Sequence, residues 1–333
     1  MNTQLSVCIP TYNRIGLLIQ TLDNLLPQLA RHNIPVFIRD NGSTDGTIKM
    51  LDRYHQEKYS NLFVKCNSEN IGFDKNLRCV VEDATTEYCW LFGDDDWTSE
   101  DTVNAILSAL SLNVGFIAIN SRAYKPDMTT VVDPNRLGFE EDRQYEPGDH
   151  ARLLADTAQN VSAMSCMVIA RAPWLLAADR YYPKDYPHIG ASFVSAVGKR
   201  AYVIGKPLLK LRMGDKPMTP SWKYGALMVN WPGAIWGLPA DYDDKAKRSV
   251  TIRDRRTSIS YAVAARALGM YDRKIFSQFL AGDAKVSIIK KGLLYFMARV
   301  PKVLCNAVSI FYLYVKRPKG YQVLISDILE TSC

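Results

Sequence analysis

LSVCIPTYNRIGLLIQTLDNLLPQLARHNIPVFIRDNGSTDGT, residues 5–47, decides the fold. Residues 5–9 form a short apolar run that reads as a strand and ends in the turn 10–14. Leu17, Leu18, Leu22, Leu25, Leu26 and Leu29 then recur at three- and four-residue spacing, which predicts a helix over 15–30. A second β-rich run at 34–39 closes on the polar turn 40–46, which carries two glycines. Working outward, strands are expected at 62–65, 88–92 and 114–119, with helices at 46–59, 73–81 and 99–110. This alternation predicts an α/β architecture, a mostly parallel sheet covered by helices on both faces. Ligands of such sheets bind at the carboxyl ends of the strands. The turns 10–14, 40–46, 67–74 and 93–97 all belong there.

The later chain reads less regularly. Residues 121–150 hold Pro126, Pro134 and Pro147 with few periodic apolar positions, and are expected as an irregular insertion beside the site. A helix is expected near 149–158, a strand near 161–170, a helix near 189–197, and separate strands at 201–204 and 207–212. Residues 217–240 read as an apolar, Trp-rich loop. Helices are expected at 244–268, 270–281, 284–298 and 301–316.

The chain has 333 residues, 47% hydrophobic and 23% charged, which is enough for a large core and argues against disorder. Its seven cysteines (8, 66, 79, 89, 166, 305 and 333) show no CxxC, so neither a disulfide framework nor a zinc ribbon is expected. The N-terminus lacks a basic segment followed by a long apolar one, so no secretory signal is read and a reducing, cytoplasmic location is expected.

Charge is unevenly placed. Residues 245–333 hold 17 Lys/Arg against 5 Asp/Glu, while residues 1–244 hold 24 against 29. A uniformly basic protein would suggest nucleic acid. An acidic body with a basic, apolar tail instead suggests an anionic membrane surface. The longest uncharged run in the tail, 303–315, is 13 residues, too short to span a bilayer. Lys290, Lys291, Arg299, Lys302 and Lys316 flank Tyr295, Phe296, Phe311 and Tyr312, the composition of a helix lying in the interface. Basic helices packed on the body are the plainer alternative.

Three clusters carry chemistry. Gly93-Asp94-Asp95-Asp96 directly follows the apolar run 88–92, and three adjacent carboxylates repel one another unless a cation compensates. Mg²⁺ or Mn²⁺, which takes one or two carboxylates plus substrate phosphates, satisfies that need. The competing reading is an acidic turn before a helix capped by Ser99. The second cluster, DNGSTDGT at 40–47, can face an anion with backbone N–H groups while Asp40 accepts from a base or ribose donor. The third, NSENIGFDKN at 67–76, again closes a strand and opens a helix, with Lys75 able to pair with phosphate.

Taken together and in this order, SVCIPTYNR (6–14), IRDNGSTDGT (38–47), NSENIGFDKN (67–76) and WLFGDDDW (90–97) resemble the signatures of family 2 glycosyltransferases with the GT-A fold. The likeness covers about the first 115 residues. It implies that Pro10, Thr11, Tyr12 and Arg14 wall a nucleotide pocket and that Asp40 reads the base. Asn70 and Lys75 would lie near the ribose and diphosphate, with Asp94 supporting. A divalent cation (Mg²⁺ or Mn²⁺) would be held by Asp96 and Asp95. The family pattern is Asp-x-Asp. Strand alignment puts its first Asp at Gly93 and its second at Asp95, whereas the letters alone pair Asp94 with Asp96, so both pairings stay open.

Farther along, Tyr186-Pro187-His188-Ile189 with 198–202 and 206–212 resembles the subgroup of abequosyltransferase-like O-antigen side-sugar transferases. In this neighbourhood family members carry a general base, which here is His188 or Asp185. The resemblance implies transfer of a sugar from a nucleotide-diphosphate-sugar to a hydroxyl with inversion at the anomeric carbon, a retaining course being the alternative. It implies a glycan acceptor on undecaprenyl diphosphate, reached by peripheral attachment to the inner face of the plasma membrane. The expected division is 1–120 for the donor half, 121–240 for the acceptor half and 241–333 for the helical, basic, membrane-associating extension. A non-catalytic nucleotide-sugar or glycan-binding subunit with a degenerate site is the alternative. A nucleotidyltransferase would need a Gly-rich basic loop after the first strand, and a processive synthase would bring spanning helices.

Overall fold

The computed structural model describes residues 2, 4–57, 59–181, 186–214, 219–316 and 321–330. Ten strands form one sheet: β1 (Leu5–Thr11), β2 (Val36–Asp40), β3 (Leu62–Cys66), β4 (Tyr88–Leu91), β5 (Trp97–Thr98), β6 (Phe116–Tyr124), β7 (Val131–Asp133), β8 (Arg143–Tyr145), β9 (Met167–Ala170) and β10 (Ala201–Arg212). The order is β3-β2-β1-β4-β9-β6-β10-β5, with β7 against β6 and β8 against β10. β3, β2, β1 and β4 are parallel; β9 runs antiparallel between β4 and β6, and β6 and β10 are parallel again.

The crossover helices Ile15–Ala30, Thr47–Glu57 and Phe73–Asp83 match the periodic stretches. In the first, Leu18, Leu22, Leu25, Leu26 and Leu29 are buried. With helices covering both faces, all seven residues of β1 are buried, Ser6 included, so the strand reads as a continuous run rather than an alternation. One core runs from Leu5 to Ala246.

Departures from the sequence reading follow tertiary contacts. Residues 220–236 are helical rather than an irregular loop: Pro220–Tyr224, a π-helical turn Gly225–Asn230, and Trp231–Trp236. Pro220 sits in the first turn of this stretch, where a missing N–H leaves no bond unmade, and Pro232 closely follows the π-helical turn. Tyr224, Met228, Trp231 and Ile235, three to four residues apart, are buried. The expected strands 201–204 and 207–212 are one strand whose register breaks between Ile204 and Leu209. Strand structure in 161–170 is confined to β9, preceded by a 3₁₀ turn at Met164–Cys166. A helix at Arg171–Tyr181 was not legible, and its apolar periodicity is weak. The helix before β6 starts at Thr102 with Asp101, not Ser99, at its N-cap. In the tail, residues 251–258 separate the helices Asp244–Val250 and Ile259–Ala267, and Tyr321–Glu330 adds a further helix.

Candidate active site

Because β1, β2, β3 and β4 are parallel, their following turns emerge at one edge. Thr11 pairs in register with Asp40, and Asp40 with Cys66. The first two turns are then fastened together. Asn13, at a φ of 50°, bonds to the second turn in both directions: its N–H donates to Ser43 Oγ at 2.8 Å, and its Oδ1 accepts from the Thr44 N–H at 2.8 Å. Asp45 accepts from the Ile15 N–H at 3.0 Å and from the Thr47 N–H at 3.1 Å, serving two helix N-termini at once. Partial burial opposes ionisation of Asp45, but the Thr47 and Ile15 bonds outweigh it and hold the carboxyl below its ordinary range.

Asp40 is fully buried and accepts from Ser43 N–H (2.9 Å), Ser43 Oγ (2.5 Å) and Cys66 Sγ (3.2 Å). Burial and the adjacent Asp40 carboxylate push the Cys66 thiol up, so it stays a protonated donor. Gly42 has a φ of 78°, and a Cβ there would come within 3.0 Å of the Glu69 backbone. Only glycine lets the second turn lie so close to the third. Four asparagines complete the joint. Asn67 donates to Asn41 and Asn76, each at 2.9 Å, and Asn41 donates to Asn70 at 2.9 Å. Asn70 Oδ1 also accepts from the Gly72 N–H, so in this state it shapes the turn. Lys75 is exposed on the first turn of Phe73–Asp83, and Tyr12 is exposed at the rim, while Pro10 is buried in β1.

The acidic cluster lies against the first turn. Arg14 Nη1 is 2.5 Å from Asp94 Oδ1 and Nη2 is 2.7 Å from Asp95 Oδ2. Thr11 Oγ1 donates to Asp94 Oδ2 at 2.9 Å. Asp96 accepts from Ser165 Oγ at 2.6 Å and from the Arg212 N–H at 3.1 Å. Ser165 Oγ in turn accepts from the Gly93 N–H at 2.8 Å. Arg212 Nε donates to the Asp95 carbonyl at 3.2 Å, and its guanidinium reaches Gln20 and Pro126. Ser165 escaped the sequence reading, and Arg212, though inside the quoted 206–212 segment, was given no role there; both arrive through the sheet order.

The donor set is all oxygen, as a hard divalent cation requires. A Cβ at Gly93 would come within 2.9 Å of Asp96 Oδ2 and 3.1 Å of Asp95 Oδ1. Those two oxygens therefore converge on space that a side chain at 93 would take, and the residues present fit a cation held by one or two carboxylates plus a substrate diphosphate. Among the described residues no group of three or more His, Cys, Asp or Glu forms a self-sufficient metal site. Compensation of the cluster's charge, expected from a metal, is supplied in part by Arg14.

His188 opens the helix Pro187–Ala196 and is buried. Its Nε2 lies 3.2 Å from the Ser162 carbonyl, which can only accept, so Nε2 carries the hydrogen and Nδ1 is the lone-pair nitrogen. Nδ1 is buried with no hydrogen-bond partner among the described residues. Burial pushes the imidazole down to about 4, away from neutrality, despite the Ser162 bond that favours the charged form. The ring meets Phe73 edge-on at 6.5 Å and Tyr186 at 5.9 Å. Asp185 lies outside the described residues. An open cleft of about 580 Å³ lined by Glu87, Gly115, Arg171 and Arg200 lies at the opposite ends of β4, β6 and β10, away from all of these groups.

Comparison with known proteins follows the same boundaries. The model of the family described as Glycosyl transferase family 2 matches residues 6–171, from β1 through Ser165 to the end of β9. Abequosyltransferase RfbV of Salmonella typhimurium is 27% identical over 223 residues, 63% of this chain and 67% of RfbV. An uncharacterized protein of Mycobacterium tuberculosis is 28% identical over 177 residues, 51% of this chain, and the match spans 47% of its own length. Among solved structures, S. aureus TarS 1-349 in complex with UDP-GlcNAc gives a TM-score of 0.53 at 16% identity, covering 98% of this chain and 92% of that one. The mannosyltransferase PcManGT from Pyrobaculum calidifontis, in complex with GDP-Man and Mn²⁺, gives 0.54 at 15% identity, covering 98% and 84%. At such identity the structures establish the fold alone, GT-A, and the family-model match over residues 6–171 establishes the rest: the chain belongs to the family 2 glycosyltransferases.

Proposed function

We propose that this glycosyltransferase moves a sugar from a nucleotide-diphosphate-sugar to a hydroxyl of a lipid-linked glycan in the assembly of a bacterial surface polysaccharide such as O-antigen. One observation carries the reading: the turns after β1 and β4 converge with Ser165 on the acidic cluster, at the carboxyl ends of the parallel strands. RfbV, similar over 63% of the chain, supports the side-sugar class.

In this reading residues 1–120 form the donor half and 121–240 the acceptor half. Pro10, Thr11 and Tyr12 wall the nucleotide, and the Asp40 turn faces the base. Asp95 and Asp96 would hold Mg²⁺ or Mn²⁺, with Asp94 supporting. A cation bound there supplies charge neutralisation and Lewis acidity to the leaving diphosphate. Ser165 and the Arg212 N–H keep Asp96 oriented, which spares reorganisation during reaction. Lys75 and Asn70 stand on the diphosphate side. The base is His188 or Asp185. The His188 imidazole is neutral at physiological pH, and its Nδ1 has no hydrogen-bond partner among the described residues.

The acceptor's lipid would be met at the membrane surface, on the inner face. No single described helix is long and apolar enough to cross a membrane, but Ile288–Met297 and Lys302–Lys316, bent by 97° at the break between them, reach that length and apolarity together. Their outer faces leave Ile288 86% and Phe311 72% exposed, with Ile289, Phe296, Val303 and Val308 also exposed. Lys290, Lys291, Arg299, Lys302 and Lys316 border that surface, matching anionic headgroups beside acyl chains. In residues 222–236, Tyr224, Met228, Trp231 and Ile235 are buried while Trp222 and Leu227 are exposed.

Isothermal titration with UDP, GDP, CDP and dTDP, each with and without Mn²⁺, tests the donor site. Binding of one nucleotide that is strengthened by Mn²⁺ and lost in Asp96→Ala is the expected result. Absence of binding to all four would instead favour a non-catalytic subunit.

A further inference from the structure

The Arg14 guanidinium bridges two of the three carboxylates of the acidic cluster. One nitrogen lies on Asp94 and the other on Asp95, at 2.5 and 2.7 Å, and the Arg14 side chain is only 14% exposed. Thr11 fixes the far oxygen of Asp94, and the fastening of Asn13 to Ser43 and Thr44 fixes the turn that carries Arg14. The arrangement is therefore built from three independent anchors rather than from a loose surface pair. A guanidinium so held engages Asp95, one of the two carboxylates assigned to the divalent cation, and the supporting Asp94. Two cations within about 4 Å of each other repel by several kcal/mol at the effective dielectric of a partly buried site.

We propose that Arg14 is a resident counter-cation that makes divalent-cation binding conditional on the donor. Without nucleotide, Arg14 caps Asp94 and Asp95, and a free cation meets an already compensated cluster. When a diphosphate enters, its negative charges offer Arg14 a second partner of suitable fork geometry and restore the cluster's deficit of positive charge. Cation and donor then bind as one unit, and the enzyme holds no metal between turnovers. This inference rests on the cation reading proposed above.

The test uses the full chain and Mn²⁺ alone as probe. Loss of the free Mn²⁺ electron paramagnetic resonance signal is titrated for the wild type, Arg14→Gln, Arg14→Lys and Asp96→Asn, first without nucleotide and then with UDP, GDP, CDP and dTDP. Nucleotide-free Mn²⁺ affinity is expected to rise at least about tenfold in Arg14→Gln, equivalent to ~1.4 kcal/mol. Arg14→Lys, which keeps the charge, should stay near the wild type and shows that the effect is not local unfolding. With the cognate nucleotide, wild-type affinity should rise towards that of Arg14→Gln. Equal nucleotide-free binding by the wild type and Arg14→Gln, lost in Asp96→Asn, overturns the role of Arg14 while leaving the cation site standing. No Mn²⁺ binding by any protein under any condition overturns both.

Discussion

Replacing Ser165 with Ala removes one oxygen atom and should cost more than its size suggests. The hydroxyl is fully buried, donates to Asp96 Oδ2 at 2.6 Å and accepts from the Gly93 N–H at 2.8 Å. Losing the acceptor strands a buried backbone donor, at a cost of about 1–3 kcal/mol. Losing a charge-assisted bond to a carboxylate adds about 1.5–3 kcal/mol. Asp96 retains the Arg212 N–H, so part of the second loss is recovered, and a net destabilisation of ~3 kcal/mol is expected. Ser162→Ala is the matched control: the same atom is removed three residues away, where the hydroxyl donates only to the Gln159 carbonyl near the surface. That change should stay within about 0.5 kcal/mol. Urea unfolding followed by tryptophan fluorescence reports both, helped by Trp90, whose Nε1 donates to the Ser165 carbonyl. Nucleotide affinity in the presence of Mn²⁺ should fall with Ser165→Ala and not with Ser162→Ala. Equal stabilities for the two variants would refute the argument that Ser165 ties the acidic loop to the sheet.

Two further predictions concern His188 and the tail. The imidazole's folded value of about 4 lies below its unfolded 6.5, so the unfolded chain binds the extra proton first and stability declines as pH falls from 6.5 towards 4. The full swing is ~3 kcal/mol, complete near pH 4 and absent above 6.5. His188→Gln should flatten that part of the stability profile in urea unfolding at pH 4.5, 5.5 and 7; an unchanged slope would mean that the ring is not held neutral. For the tail, Phe296→Ser with Phe311→Ser should abolish flotation with phosphatidylglycerol-containing vesicles while leaving nucleotide binding intact. Lys290→Gln with Lys291→Gln should weaken flotation chiefly at low salt. Persistent flotation of the double Phe variant would place the membrane contact elsewhere.

The strands and helices of residues 5–110 were legible because burial on both sheet faces and leucine spacing act locally. β1 to β4 and their crossover helices match within two or three residues of each end. So were the three polar turns, whose short side chains and glycines have few other uses. Stretches decided by distant partners were not legible. Residues 220–236 look like a loop to propensity, because Pro and Gly interrupt the pattern, and become helical by packing Tyr224 and Trp231 into the interior.

The sequence by itself determined the parallel half-sheet and the edge at which its polar turns gather. Periodicity and turn chemistry are properties of a few neighbouring residues, so one chain suffices to read them. Only the tertiary structure decided which polar groups are already engaged. The antiparallel insertion of β9 between β4 and β6 brings Ser165 to Asp96 across 69 residues, and β10 brings Arg212 across 116. The approach of the first turn gives Arg14 to Asp94 and Asp95, and burial beneath Ser162 sets the state of His188. Each is an electrostatic consequence of distance and desolvation, and neither quantity is carried by local sequence.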